Sequence, residues 1–415
     1  GDAWDVRLRD GVEFHNGKTM GAEDLIFTME RIMDPTKPTL AAGSLNFMRP
    51  QRFRKLDKRT VRFELERPFA PFVDALFNPY DSIVPVGFDP RKPVGTGPFK
   101  FQSITPGSDS VFVRFENYWG DGPYVDELHI IDFMDDSARV NALLGGQVEA
   151  IDAVPASQVQ VFEQTDGINM LNSKTGAWRP LMMRMDVAPF DDVRVRQAMR
   201  LVADRQQMID ASLDGNGQIA NDIFSPNDKC YAGDEIPQRE RDVDRARSLL
   251  KQAGQEGLSV ELVTAPIAGG IVEASQAFAE QAAEAGINVK LRKVDSTLFW
   301  DREYANAPFL VDFWPNYPYL NTAAQSEMPG GAFNATYTDD PKLTKLFNDA
   351  TKEFDDGKRC EIIGEMQRWE HENGAYLIWG FANTLDAYSD KVTGFAEDVN
   401  GWDLHTYAFK NVSFV

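Results

Sequence analysis

The sequence has few of the residues that metal and redox chemistry draw on. Its 415 residues include four histidines and two cysteines. His15, His129, His371 and His405 lie far apart, with none four residues from another and none beside a cysteine, so no local metal motif is present. Cys230 and Cys360 lack the CxxC spacing of zinc and redox sites. They are compatible with one disulfide or with two unrelated buried thiols, and their number leaves both open. No apolar run approaches the ~18 residues of a membrane span. Gly1-Asp2-Ala3-Trp4 carries neither the basic nor the apolar stretch of a signal peptide, as expected of a processed or cloned form, which is compatible with secretion.

Positive charge is also scarce. Against 64 Asp plus Glu stand 43 Lys plus Arg, a net charge of −21. Such a surface repels phosphate backbones and anionic lipid headgroups, so no nucleic-acid partner and no membrane-surface role are expected. A nucleophile elbow, a Walker loop, HExxH and GxGxxG are all missing, which removes the local signatures of common hydrolases, NTPases, zinc proteases and dinucleotide enzymes. Among 64 carboxylates some chance pair is bound to occur, so none can be singled out as catalytic. Gly95-Thr96-Gly97 reads as a tight entry into a strand at Phe99, because no helix N-terminus follows to receive a phosphate.

What is present is enough for a large core: 43% hydrophobic and 11% aromatic residues. The length predicts two or three domains. Val6, Leu8, Val12 and Phe14 alternate around Asp10-Gly11 and His15-Asn16-Gly17, which predicts a hairpin. A helix is expected from Ala22 to Met33, stopped by Asp34-Pro35, and a strand over Val61, Phe63 and Leu65. The proline-rich stretch from Pro79 to Pro98 marks a domain junction. Strands are expected at 99–104, 111–115, 125–133 and 148–153, with a helix at 137–144. One long amphipathic helix is predicted from Val193 to Leu213 and another over 242–253. Strand 258–264, helix 272–285 and strand 287–294 form a β-α-β unit. Helices at 341–354 and 358–373 precede an extended run at 375–381. The class is α/β in several lobes.

One loop concentrates aromatic and amide side chains: Asp312-Phe313-Trp314-Pro315-Asn316-Tyr317-Pro318-Tyr319-Leu320-Asn321. Two prolines stiffen it, and it follows an extended run, where α/β folds place ligands. Rigid aromatics give contact area at small entropic cost. The alternative is a loop folded back on its own core.

The order of motifs carries a resemblance. Leu8-Arg9-Asp10-Gly11-Val12-Glu13-Phe14-His15-Asn16-Gly17 followed by Ala22-Glu23-Asp24-Leu25 resembles a signature of the family 5 extracellular solute-binding proteins. These include the dipeptide and oligopeptide receptors of ABC importers. Pro93-Val94-Gly95-Thr96-Gly97-Pro98-Phe99, Asn117-Tyr118-Trp119-Gly120, and Phe190-Asp191-Asp192-Val193-Arg194-Val195-Arg196-Gln197-Ala198 with Asp204-Arg205 are similar to further blocks of that family, in its order.

The resemblance implies a two-lobe clamp of the periplasmic-binding-protein class II type, α/β, with an additional small α+β domain. Residues 1–97 would form the small domain, 98–186 plus 391–415 the first lobe, incomplete at its N-terminus, and 187–390 the second lobe with the aromatic loop. Function would be capture of a peptide-like or other small polar organic solute by lobe closure, with delivery to an ABC permease in the inner membrane. Catalysis, cofactors and metals are not expected. The location would be periplasmic or extracellular, either free or tethered through a leading segment, and the protein a monomer. The alternative is a sensor or chaperone-like protein that uses the same clamp without transport. An oxidising compartment, with both cysteines in the second lobe, implies a Cys230–Cys360 disulfide.

Phe313, Trp314, Asn316, Tyr317 and Tyr319 would line the ligand face, with Trp178, Arg179 and Trp379 as further candidates. Eight tryptophans cannot all touch ligand, so core packing is the competing role for each. The sequence departs from the peptide-binding pattern in three places. The family's leading segment, which helps build the pocket, is not in this chain. Asn316 stands where those members use an Asp to grip the peptide ammonium, and Leu310 stands where some place an Arg for the carboxylate. An amide cannot supply the charge-assisted bond an ammonium needs. A neutral or weakly charged polar ligand, such as an oligosaccharide, a glycoside or a capped peptide, is therefore expected in preference to a free dipeptide.

Overall fold

In the computed structural model, which describes residues 1–37, 39, 45, 47–76 and 81–415, two long antiparallel strands form the spine. Ile168–Met183 pairs with Tyr376–Ser389 from Ile168 opposite Ser389 to Met182 opposite Tyr376, with irregularities beside Ile378 and Ala382. They sit inside a seven-stranded sheet. Its order is Asn288–Lys293, Ser259–Thr264, Phe309–Val311, Ile168–Met183, Tyr376–Ser389 and Ala150–Ile151, with Gly217–Ile219 also against Tyr376–Ser389. The strands at 259–264, 288–293 and 309–311 run parallel, and the helix Ile271–Glu284 makes the first crossover, so the β-α-β unit forms as expected. The fold is α/β, with separate three-stranded sheets at each end of the chain's first third.

The sequence reading missed the 16-residue strand Ile168–Met183. Asn172, Ser173, Lys174, Gly176 and Pro180 interrupt any alternation, and such residues ordinarily mark a break. Here most of both faces is covered, so period two carries no signal.

The opening hairpin is corrected. Ala3–Arg7 pairs instead with Thr60–Glu64, Val6 lying opposite Val61. Alternation shows that a strand exists but not which strand it joins, and buried Val61 and Phe63 offer the better apolar partner. The second turn does form, with the Phe14 and Met20 N–H groups donating to Lys18 O and Val12 O at 2.8 Å each. Pro79, the first residue of the expected junction, lies outside the described residues.

The single helix expected over 193–213 is two, Val193–Leu201 and Arg205–Leu213. The Asp204 carboxylate accepts from Gln207 N at 3.0 Å, capping a new helix, while its own N–H donates to Gln281 Oε1 at 2.9 Å. Val195, Val202 and Ile209 recur every seven residues across both helices, which hides the break.

The largest core gathers around the spine and the helices behind it. One of its buried carboxylates is matched by two guanidiniums. Asp222 bonds Arg205 at 2.8 Å and Arg239 at 2.8 Å. Burial works against ionisation of its carboxyl, but Arg205, Arg239 and Arg200 outweigh it and hold the pKa below the usual value. Arg200, fully enclosed, donates to Glu370 O at 3.0 Å and His371 O at 3.1 Å, and Arg196 to Asn373 O at 2.7 Å. Two guanidiniums thus satisfy the last carbonyls of helix Asp356–Asn373, where the macrodipole favours cations. Cys230 and Cys360 form a disulfide, as the resemblance implied.

Candidate functional site

The loop after Phe309–Val311 is set by one buried carboxylate. Asp312 accepts from Phe313 N at 2.8 Å, Trp314 Nε1 at 2.9 Å and the Tyr304 hydroxyl at 3.0 Å. Burial pushes its pKa up to about 7 against the opposing effect of these three donors. Trp314 is thereby turned inward, and its ring stacks on Trp178 at 5.6 Å. Trp178 in turn stacks on Phe224 at 5.3 Å, and Phe224 on Tyr319 at 5.0 Å. Tyr319 reaches Glu370 through its hydroxyl and Asp228 through its N–H. One interior column therefore holds Trp314, Trp178 and Tyr319. Trp379 is also enclosed, 1% exposed, in the spine strand.

The remaining candidates lie nearer the surface. Phe313 is 38% exposed and meets Trp300, itself 43% exposed, edge to face at 6.3 Å. Tyr317 packs at the margin of the large core. Asn316 is half-buried, with its Oδ1 enclosed and lacking a hydrogen-bond partner. Gly176 makes room for that carboxamide, since a Cβ there would stand 2.2 Å from Asn316 Oδ1. Arg179 is half-buried, and its Nε is enclosed without a partner. Burial lowers its pKa to about 10, with the Asp403 charge acting the other way.

Asn316 is bonded to one strip of chain, residues 398–403, whose Asp403 charge acts on Arg179 and which sequence reading did not single out. The Asn316 N–H donates to Asn400 O at 3.0 Å, the Gly176 N–H to Val399 O at 3.4 Å, and Asn227 Nδ2 to Val399 O at 3.3 Å. Gly401 lies close over Ala177, for a Cβ on it would come within 2.9 Å of the Ala177 Cβ. Its φ of +78° suits glycine. Leu404 to Tyr407 follow with φ between +47° and +56°, four consecutive left-handed residues without a glycine. Each costs roughly 1–2 kcal/mol. A cavity of about 440 Å³ lies beside this strip, bordered by Pro98, Phe99, Asp398, Asn400 and Thr406. No local pattern in 398–407 announces such a role, because it depends on what the strip lies against.

Among the described residues, no three His, Cys, Asp or Glu side chains group so as to hold a metal ion. No described helix is long and apolar enough to cross a membrane. An amide, a guanidinium and the strip 398–403, whose carbonyls take the Asn316 and Gly176 N–H groups, thus lie together on this side of the spine. The chain belongs to the bacterial extracellular solute-binding proteins, family 5, whose middle-region model matches residues 1–347. It is an extracytoplasmic substrate-binding protein of the ABC-importer type.

Among its relatives is the dipeptide-binding protein of Escherichia coli K12, 26% identical over all of this chain and 83% of that protein. Heme-binding protein A of Haemophilus influenzae is 28% identical over 61% of this chain and 51% of its own length. The fold is shared with AgaA of Agrobacterium tumefaciens R10, solved with agropinic acid, at TM-score 0.88 and 24% identity over 100% of this chain and 87% of that one. It is shared too with NikZ of Campylobacter jejuni, solved with Ni(L-His), at TM-score 0.87 and 18% identity over 100% and 88%.

Proposed function

We propose that this protein captures a polar organic solute without a free ammonium group and presents it to an ABC permease, acting by closure of two lobes and without turnover. Relatives and fold neighbours are named for dipeptides, heme, agropinic acid and Ni(L-His), so descent alone leaves the ligand open and the side chains must decide it. The observation that carries the reading is Asn316. It occupies the place of a peptide-gripping carboxylate, and its enclosed Oδ1 awaits a donor. A neutral amide presents one acceptor and two donors, suited to hydroxyls and amides. An ammonium held there without a carboxylate would cost several kcal/mol.

In this reading residues 1–97 form the small domain, 98–186 with 391–415 the first lobe, and 187–390 the second. Asn316, Tyr317, Phe313 and Arg179 face the solute, while Trp314, Trp178, Tyr319 and Trp379 hold the loop and strand from behind. The protein acts as a monomer that binds no nucleic acid, and it is free or tethered on the outer side of the membrane. Calorimetry of wild type and Asn316→Asp against free dipeptides, capped dipeptides and oligosaccharides tests this. Wild type should bind within the capped or carbohydrate set, and Asn316→Asp should gain affinity for free dipeptides alone. Micromolar wild-type binding of unmodified dipeptides, with none in the other sets, would overturn it.

A further inference from the structure

The strip 398–403, Asp-Val-Asn-Gly-Trp-Asp, lies on the spine strand as an extended ligand would. It runs in the same direction as that strand. The Asp398 N–H donates to Ser173 Oγ at 3.3 Å, the Gly176 N–H reaches Val399 O at 3.4 Å, Gly401 covers Ala177, and Asp403 lies near enough for its charge to act on Arg179. From the loop side the Asn316 N–H takes Asn400 O at 3.0 Å. We propose that residues 398–403 are a resident pseudo-ligand, occupying the groove between the loop at Asn316 and the strand at Arg179, and that a solute with an extended backbone and a carboxylate enters by displacing them and engages Arg179 in place of Asp403.

Four observations favour a removable occupant over a permanent wall. First, most of the strip's bonds to the groove are made by its carbonyls, to N–H donors that any extended chain could use equally. Second, the match to Arg179 is incomplete. Asp403 makes no ion pair with it, and the enclosed Nε has no partner, so a better-placed carboxylate has a bidentate geometry to gain. Third, the strip passes directly into the four left-handed residues 404–407, a conformation that release would relax. Fourth, the cavity of about 440 Å³ borders Asp398, Asn400 and Thr406, which leaves room for the strip to retreat. The proposal rests on the reading that Asn316 and Arg179 face the solute. It adds an acidic group to a solute already argued to lack an ammonium.

The test needs no knowledge of the natural solute. A Cβ at Gly401 would strike Ala177, so Gly401→Val should expel the strip. The probe is the strip itself, a dye-labelled acetyl-DVNGWD-amide followed by fluorescence anisotropy. A tethered strip competes at an effective concentration on the order of millimolar, so Gly401→Val should bind the peptide at least tenfold more tightly than wild type. Changing the peptide's last residue to Asn, or adding Arg179→Gln to the variant, should remove most of that gain. Asp403→Asn is a second route that leaves Gly401 intact and should tighten peptide binding by about threefold or more over wild type. A Gly401→Val protein with the wild-type circular dichroism spectrum and no gain overturns the proposal. If Gly401→Val does not fold, an unchanged Asp403→Asn does so. Peptide that binds Gly401→Val but does not compete with a capped dipeptide or oligosaccharide that wild type binds would support the strip and sink the assignment of this face to the solute.

Discussion

Trp178 and Trp314 are joined twice. The N–H of each donates to the carbonyl of the other, at 2.9 and 3.0 Å, and their rings stack 13° from parallel. The loop that carries Asn316 is thus fixed to the spine by an isolated two-residue bridge and by the aromatic column behind it. Rigid support of this kind lets a short loop hold a polar group in one place.

Trp314→Ala is expected to cost about 3–5 kcal/mol, the usual range for an enclosed large aromatic side chain. Urea unfolding followed by circular dichroism measures it. Solute affinity should fall as well, because the loop loses its inner anchor. A change below about 0.5 kcal/mol, within the range of ordinary surface substitutions, would show that the column does not hold the loop.

Gly176→Ala should act on binding more than on stability. The new methyl group would stand 2.2 Å from Asn316 Oδ1 and 3.0 Å from Pro226 Cδ, so the Asn316 side chain must swing away. We expect at least a tenfold weaker affinity, by calorimetry, for whichever capped dipeptide or oligosaccharide the wild type binds. Unchanged affinity would place Asn316 outside the contact surface.

Asp312 gives a stability profile with a definite sign. Its folded pKa of about 7 lies above the unfolded value near 3.9, so the folded chain keeps its proton to higher pH. The resulting contribution to stability is whole below about pH 4 and is lost as pH rises through about 7. Asp312→Asn retains an acceptor for Trp314 Nε1 and should flatten the fall in melting temperature between pH 5 and pH 8. The buried carboxyl of Glu327, also raised to about 7, leaves part of the fall in place. An identical profile in the variant would show that Asp312 does not titrate in this window.

The disulfide ties residue 230 to residue 360, and no free cysteine remains. Thiol titration of denatured, unreduced protein should find none. Replacing both cysteines with serine should destabilise by up to about 4–5 kcal/mol in the chain-entropy account of long loops. Recovery of two thiols from the native secreted protein would contradict the bridge.

Legibility in the sequence followed the range of the interactions. The β-α-β unit at 259–293 was readable because its helix and its two strands each carry a local period. Asp204 was not recognised as a cap, since two helices in register look like one until the cap's own hydrogen bonds are seen. The aromatic loop stood out by composition, but composition is silent on direction. Trp314 turns inward because Asp312 takes its Nε1–H, while Phe313, one residue earlier, remains outside.

By itself the sequence determined the class of the molecule: an acidic α/β protein with the ordered motifs of a solute-binding family and an aromatic loop bearing an amide in place of a carboxylate. These are local or compositional properties, and they survive without knowledge of any partner strand. Tertiary structure alone decided that Ile168–Met183 pairs with Tyr376–Ser389, that three of the candidate aromatics stack in one interior column, and that residues 398–403 lie over Gly176 and Ala177. Pairing and burial depend on contacts across 200 and more residues, as between Thr175 Oγ1 and Ala382 O, and a strand covered on both faces carries no alternation from which its neighbours could be read.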